Sequence, residues 1–238
     1  MVFGLSSRCL CFGSDNATLK RMIVDVLTRS TVRQPFERRS TGEHEGAVGE
    51  ERLLLSGVSW EQYMELDEAL GHDRAGPRVY YLESELEIMT TSLQHERLKK
   101  WLGGLVEDYL LEAGVRTFPH GQATMRLLKE AGAEPDESWC FGREKRWPEL
   151  VLEVALTSGG LDKLEIYQRF AVSEVWLWRK GALEIYSLRQ DRSGYDGPVR
   201  RSCLLPDLDV TLVERCVQRK DWRAARLAFR ASLRRPKH

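Results

Sequence analysis

The chain has 238 residues, with 36 basic and 36 acidic side chains and therefore no formal net charge at pH 7. This balance excludes any argument from overall charge for or against a nucleic-acid partner, so only the local distribution of charge is informative. The five cysteines are scattered without a CxxC pair, which disfavours a disulfide framework or a zinc site and favours a reducing, cytoplasmic location. No apolar run approaches the roughly 20 residues of a membrane-spanning helix, so no membrane partner is expected.

Two regions are predicted from composition. Residues 1–50 are mostly polar and lack periodicity, which predicts a disordered or loosely attached extension. Within them, Met22–Thr28 is compatible with a short strand or helix. Cys9 and Cys11 have no further ligand at zinc spacing, so a metal site there is disfavoured. Residues 51–238 are predicted to form one domain that includes a basic C-terminal helix.

The elements of this domain follow from hydrophobic periodicity, caps and turn residues. Ser59 and Gln62 form a capping-box pattern at the start of the first predicted helix. Gly103-Gly104 inside the second helix predicts close approach of a neighbouring element. Helices are predicted at Trp60–Leu70, from Thr90 to Gly114, at Leu161–Ala171 and from Asp221 onward; strands are predicted at Arg78–Leu82, Glu85–Met89, Val115–Phe118, Gln122–Leu128, Glu137–Phe141, Glu149–Leu156, Glu174–Trp178 and Leu183–Leu188.

Glu153 is the anomaly of the sequence. It lies in a strand, Glu149–Leu156, that is otherwise apolar on both faces, which is typical of a central, covered strand. A carboxylate in such a place costs several kcal/mol unless it is paired, protonated or bound to a metal. The alternatives are a position at the solvent-facing end of the strand or a pair with an arginine.

Asp136 and Lys163 are the candidate partners of Glu153. Asp136 follows Pro135 and precedes a strand that we expect to pair with the strand of Glu153, although Pro-Asp-Glu is also ordinary turn chemistry. Lys163 lies in the first turn of the helix after Gly159-Gly160, where the helix dipole disfavours a cation. A solvated lysine stabilised by Asp162 or Glu165 is the plainer interpretation. His95 shares a helix face with apolar residues, and it is either a packing residue or part of the site.

The last predicted helix carries an arginine stripe. Its members recur at steps of three and four residues: Arg219, Arg223, Arg226, Arg230 and Arg234. Such a stripe either contacts phosphates or forms the solvated face of an amphipathic helix.

With these residues in hand, the chain resembles the Uma-two family of restriction endonucleases, within the PD-(D/E)XK nuclease superfamily. The resemblance covers about Leu55 to Leu233. It is carried by VSWEQYMEL, YYLESELEIM, HERLKKWLGGLVE, EPDESW, PELVLEVALTSGGLDKLEIYQRF, SEVWLWRKGALEIYSL and RSCLLPDLDVTL. It implies an α/β fold with a mixed β-sheet flanked by helices, in the order α-β-β-β-α-β, followed by a C-terminal helix.

The resemblance also implies a nuclease site. In it, Asp136 and Glu153 bind Mg²⁺ or Mn²⁺, and Lys163 is the superfamily lysine moved from the strand to the next helix. Glu85 and His95 are second-rank members of the site. The implied partner is nucleic acid, with DNA preferred to RNA, and a homodimer is left open.

We therefore expect a metal-dependent endonuclease in which the ion polarises the phosphate and Lys163 positions or activates water. Three alternatives remain: a non-catalytic nucleic-acid-binding module, a partner-binding protein whose acidic residues are ion-paired, and hydrolysis of another phosphate ester.

Overall fold

The structure, a computed structural model, describes residues 16–29, 37–39, 51–71, 77–157 and 160–234. In these residues the helices are α1 (Asn16–Arg29), α2 (Trp60–Leu70), α3 (Leu93–Glu112), α4 (Lys163–Arg169), α5 (Val210–Val217) and α6 (Trp222–Leu233). The strands are β1 (Glu37–Arg39), β2 (Arg52–Ser56), β3 (Arg78–Leu82), β4 (Glu85–Met89), β5 (Thr117–Pro119), β6 (Met125–Leu127), β7 (Ala131–Ala133), β8 (Glu137–Phe141), β9 (Leu150–Ala155), β10 (Glu174–Arg179), β11 (Ala182–Leu188) and β12 (Tyr195–Val199).

The strands form two six-stranded sheets in the described part of the chain. The first sheet has the order β1-β2-β4-β3-β7-β6 and the second the order β12-β11-β10-β9-β8-β5. The first sheet is antiparallel throughout. In the second sheet β9 and β10 are parallel and the other neighbours are antiparallel. The predicted fold class, a mixed α/β fold flanked by helices with a C-terminal helix, is confirmed, with its strands divided between two sheets.

Three apolar clusters hold these layers together. One lies between the first sheet and helices α1 and α2, and it includes Ile23, Leu66 and Leu86. A second lies between the second sheet and helices α3, α5 and α6. The third joins the two sheets and α4, with Tyr80 from β3 and Val151 from β9. Polar side chains on the inward faces of both sheets therefore meet in a region from which water is largely excluded.

Most predicted elements are present, with small shifts of their ends. Helix α2 has the predicted capping box, because Gln62 N–H donates to Ser59 Oγ and Ser59 N–H donates to Gln62 Oε1. The helix around Lys163 is shorter than predicted and begins at Lys163 itself, with Asp162 as its N-cap. Five elements were not predicted: β1 lies in the N-terminal extension, β2 precedes the first predicted helix, β7 lies in a segment interpreted as a turn, β12 lies in a polar segment, and α5 precedes the last helix.

The close approach predicted at Gly103 and Gly104 is confirmed. A β-carbon on Gly103 would lie 3.2 Å from Glu137 Cγ of β8. A β-carbon on Gly104 would lie 3.3 Å from Cζ2 of Trp222 at the start of α6. The two glycines thus let α3 pack against the second sheet on one side and against α6 on the other.

The arginine stripe of α6 packs along α3. Arg226 Nη2 donates to Asp108 Oδ1 at 3.0 Å, and Arg230 Nη2 donates to Glu112 Oε1 at 2.7 Å. Arg234 also donates to Glu112. These three arginines therefore join two helices of the same chain while their side chains stay 36–63% exposed. The stripe is thus a solvated face, as one of the two interpretations from the sequence expected, and it also pairs with α3.

Two parts of the predicted N-terminal extension are described. The segment Met22–Thr28 lies within α1, and Ile23 and Leu27 are buried in the first cluster. Strand β1 pairs with β2. These segments are packed against the domain, whereas the division at residue 50 stays a prediction. Cys9 and Cys11 lie outside the described residues.

No helix in the described residues is long and apolar enough to cross a membrane.

Candidate active site

Glu153 lies in the middle of β9 and faces the third apolar cluster, two residues beyond Val151. Its side chain is almost completely buried. Both carboxylate oxygens accept from the Tyr80 hydroxyl, at 3.2 and 3.1 Å, and Oε1 also accepts from the Tyr167 hydroxyl. Burial and the nearby charge of Asp136 raise the pKa of Glu153 from 4.5 to about 7, although Lys163 and the two hydroxyls act in the opposite direction. The arginine partner considered from the sequence is not what holds this carboxylate.

Asp136 precedes β8 and reaches across to β9. Its Oδ2 accepts from the backbone N–H of Val154 at 2.8 Å, which places this carboxylate beside the residue that follows Glu153. Its Oδ1 lies 2.9 Å from His95 Nε2 and 3.7 Å from Arg78 Nη2. Burial would raise the pKa of Asp136, but the hydrogen bond and charge of His95, the charge of Arg78 and the Val154 N–H together lower it. Asp136 is therefore the carboxylate of the pair that stays ionised.

Asp136 and Glu153, predicted to be neighbours, lie close enough for the charge of one to affect the pKa of the other. Strands β8 and β9 are antiparallel, with Glu137 opposite Leu152. The site carries two buried carboxylates whose repulsion contributes to the raised pKa of Glu153. Such a pair is stabilised by any cation that binds between or beside the two groups.

His95, in the first turn of α3, is fully buried and contacts Asp136 Oδ1 through its Nε2. Its backbone N–H donates to the N-cap residue Ser92. The two interpretations left open by the sequence are therefore compatible, because His95 packs in the interior and also contacts the carboxylate of Asp136.

Lys163 is the first residue of α4, and its ammonium is buried. Nζ lies 3.6 Å from Glu87 Oε2 and 2.6 Å from the centroid of the Tyr80 ring. It is one of the buried side-chain nitrogens in the described residues with no hydrogen-bond partner. Burial lowers the pKa of Lys163 from 10.5 to about 8, while the charges of Glu87 and Glu153 act to raise it. The solvated surface lysine expected as the plainer alternative is not observed.

Glu87 is a site residue that the sequence reasoning missed. It lies in β4 opposite Tyr80 of β3, and it is fully buried. Its Oε1 pairs with Arg52 Nη1 at 3.0 Å, and its Oε2 accepts from the backbone N–H of Leu161 at 2.7 Å. Together with its contact to Lys163, these bonds fix the start of α4 against the first sheet.

Gly160 allows this approach. Its φ is +105°, a conformation that side chains rarely adopt, and a β-carbon there would lie 2.6 Å from both Arg52 Nη1 and Glu87 Oε2. The sequence indicated the glycine pair before the helix. The structure shows why position 160 needs glycine: the Glu87 carboxylate occupies the space that a side chain would need.

Glu85, the other acidic residue predicted for the site, begins β4 two residues before Glu87. Its Oε2 accepts from Ser56 Oγ of β2 at 2.9 Å. Residues two apart on a strand share a face, so Glu85 lies on the same face as Glu87 but further from Met89, which lines the cavity described next.

A cavity of about 410 Å³ opens from Glu153 and Lys163. Its walls come from both sheets and from α4. The polar and charged residues that line it are Arg52, Glu153, Thr157, Lys163, Arg179, Lys180 and Glu184. Two predicted site residues therefore face a common space, and most of the charged side chains around them are cationic.

Residues 60–219, more than half of the chain, match the family model Uma2, whose description is "Putative restriction endonuclease". The chain belongs to the Uma-two family. The resemblance found in the sequence is therefore confirmed, over a slightly shorter span than Leu55 to Leu233. This membership supports a nuclease.

Among the solved structures that resemble this Uma-two chain is one described as "a putative nuclease belonging to DUF820" from Anabaena variabilis. It is 12% identical, and the match covers 63% of this chain and 97% of that chain with a TM-score of 0.41. No curated protein matches the chain.

Two kinds of residue around the site were missed from the sequence. Tyr80 and Tyr167 hold Glu153, and both had been interpreted only as apolar members of a strand and a helix. Arg52 precedes the predicted elements, and the sequence indicates Arg78 only as the first residue of a strand. The available signal was the alternation in β3 and β4, where a charged or hydroxyl side chain lies on the face opposite to Leu86 and Ile88.

Proposed function

We propose that the chain is a metal-dependent endonuclease that hydrolyses phosphodiester bonds of nucleic acid, with DNA as the preferred substrate. The observation that carries this proposal is the shared cavity, which Glu153 and Lys163 line while Asp136 lies directly behind them. Family membership supports the same reaction class. In this proposal the three residues form a PD-(D/E)XK-type site whose lysine comes from α4.

The residues fit a hard divalent cation in their chemistry. Asp136 and Glu153 offer carboxylate oxygens, and Mg²⁺ is commonly held by one or two carboxylates, with water and phosphate oxygens completing the shell. The described residues contain no group of three or more His, Cys, Asp or Glu side chains arranged for a metal. A cation here would therefore rely on these two carboxylates. When bound, it would polarise the phosphate and lower the pKa of a bound water.

Orientation of the two carboxylates and stabilisation of the phosphate charge are the proposed roles of this chain's own groups. His95 and the Val154 N–H orient Asp136, and the two tyrosine hydroxyls orient Glu153. Lys163 has a buried ammonium without a hydrogen-bond acceptor, and a phosphate oxygen in the cavity would supply one. In this position the ammonium stabilises negative charge that develops on the phosphate. The burial of the ammonium strengthens that interaction.

The experiment is cleavage of plasmid DNA and of RNA with Mg²⁺ or Mn²⁺ and with EDTA. We expect metal-dependent cleavage of DNA, and a loss of about 100-fold or more in Glu153→Gln, Asp136→Asn and Lys163→Met. Glu165→Gln is the matched control, because Glu165 lies on the same helix but pairs with Arg169 at the surface. Unchanged cleavage by Glu153→Gln would exclude this mechanism.

A non-catalytic nucleic-acid-binding module is the second candidate. It is favoured by one observation, namely that Asp136 Oδ1 already contacts His95 and lies near Arg78. Calorimetric titration with Mn²⁺ distinguishes the two. An endonuclease binds the ion and loses it in Asp136→Asn, whereas a binding module retains DNA and shows no ion binding.

A further inference from the structure

The cavity is lined by more positive than negative side chains. Arg52, Lys163, Arg179 and Lys180 line it, against the carboxylates of Glu153 and Glu184. Arg179 and Lys180 are exposed. Arg179 Nη1 lies 3.9 Å from Glu184 Oε2, a long surface ion pair that holds the arginine only weakly. The rim can therefore receive an anion without breaking a strong contact.

The register of the second sheet places Arg179 on the face of Glu153. Strands β9 and β10 are parallel, with Leu177 beside Glu153 and Arg179 beside Ala155. Since side chains two residues apart share a face, Arg179 lies one such step, about 7 Å, further along. This step is similar to the separation of neighbouring phosphates in one strand of nucleic acid. Lys180 follows Arg179 in the turn to β11.

The position in the fold is also one where ligands bind. Ala155 and Arg179 are the last residues of the two parallel strands, and the cavity lies at these carboxyl ends. Open α/β sheets place ligands in the crevice outside the carboxyl ends of parallel strands.

The basic helix α6 is a weaker candidate for phosphate contact. Three of its arginines already pair with Asp108 and Glu112 of α3. A phosphate would have to displace hydrogen-bonded carboxylates there, whereas at the cavity it would compete only with the long Arg179–Glu184 ion pair.

We propose that Arg179 and Lys180 bind a backbone phosphate adjacent to the one at Glu153 and Lys163, and thereby set the position of the nucleic-acid strand in the cavity. This inference rests on the proposed function, because a polynucleotide supplies the second phosphate.

Binding of a fluorescein-labelled DNA duplex, followed by fluorescence anisotropy between about 50 and 200 mM salt, tests it. Arg179→Gln/Lys180→Gln is compared with its parent in a Glu153→Gln background, which prevents cleavage. We expect Kd to rise about tenfold or more at low salt, and the slope of log Kd against log salt to fall by about 1, because the contact to one phosphate is lost. Arg179→Lys/Lys180→Arg, which keeps both charges, should retain most of the affinity.

The matched control is Arg189→Gln. Arg189 is as exposed as Arg179 and pairs with Asp196 at the surface, but it does not line the cavity. It should leave the salt slope unchanged. An equal loss in Arg189→Gln would show a non-local charge effect and overturn the inference, as would an unchanged slope in the double variant of a chain that cleaves DNA. Absence of both binding and cleavage in the wild type would overturn the inference together with the proposed function.

Discussion

At the residue scale, Glu87 organises the basic side of the site. It contacts Arg52 and Lys163 and accepts from the Leu161 N–H, all from a fully buried position. Buried ion pairs rarely stabilise a fold compared with apolar residues, but removing one partner leaves a buried charge uncompensated. Glu87 therefore compensates the charge of the buried Lys163 ammonium, whose burial disfavours the charged form, and keeps it beside the cavity.

Glu87→Gln tests this role. We expect a loss of about 3 kcal/mol in the free energy of unfolding, because the buried ammonium and guanidinium lose their carboxylate. Urea denaturation provides the measurement. Adding Lys163→Met should recover part of the loss, since the uncompensated ammonium is then gone.

The control for this change is Glu83→Gln, which removes a surface partner of Arg169. It should cost about 1 kcal/mol or less. If Glu87→Gln were as stable as the control, the buried ion pair would not matter for the fold.

At the element scale, the packing of α6 against α3 decides what its regularly spaced arginines contact. The spacing of its arginines and of Ala225 and Phe229 predicts an amphipathic helix, and the helix is present. The spacing does not say what lies beside the basic face. That partner is α3, brought close by Gly104, and it supplies Asp108 and Glu112. The helix is consequently a structural brace of the second sheet.

Phe229→Ala should therefore destabilise the protein far more than Glu112→Gln. Phe229 is fully buried in the second cluster, and such truncations cost about 3–5 kcal/mol. Glu112 pairs with Arg230 and Arg234 where solvent screens the charges, so its loss should change the denaturation midpoint much less. Urea denaturation of both variants provides the comparison, and equal losses would mean that the ion pairs hold α6.

At the scale of the whole molecule, the site is the place where the layers meet. The first sheet supplies Glu87 and Tyr80, the second supplies Glu153, and α4 supplies Lys163. The third apolar cluster packs beside them, and Glu87, Tyr80 and Glu153 are almost completely buried. Global stability is therefore coupled to the ionisation of the site.

The pH dependence of stability follows from the pKa of Glu153, raised from 4.5 to about 7. Between these values the folded state binds more protons than the unfolded state, so stability falls as pH rises through this window. Glu153→Gln lacks this ionisation. Urea denaturation at several pH values between 5 and 8 should show the wild type losing a few kcal/mol relative to the variant. A constant difference across this range would contradict the raised pKa.

The sequence by itself determined much of this protein. It predicted the mixed α/β class, α2 with its capping box, the hairpin of β3 and β4, and the family. Glu153 was found because a carboxylate in an apolar strand is costly wherever the strand lies. These features depend on local propensity, on periodicity and on residue chemistry, all of which are present in a linear chain.

Only the tertiary structure decided which groups surround Glu153. Tyr80 is 73 residues away and Tyr167 is 14 residues away along the chain, and their hydroxyls meet the carboxylate only when both sheets and α4 pack together. Glu87 could not be preferred to Glu85 from sequence, because alternation places both on the same face of β4. The short strand β7 was missed for a different reason: Ala-Gly-Ala has little strand propensity, and Gly132 is required there by the packing of Tyr63 against it.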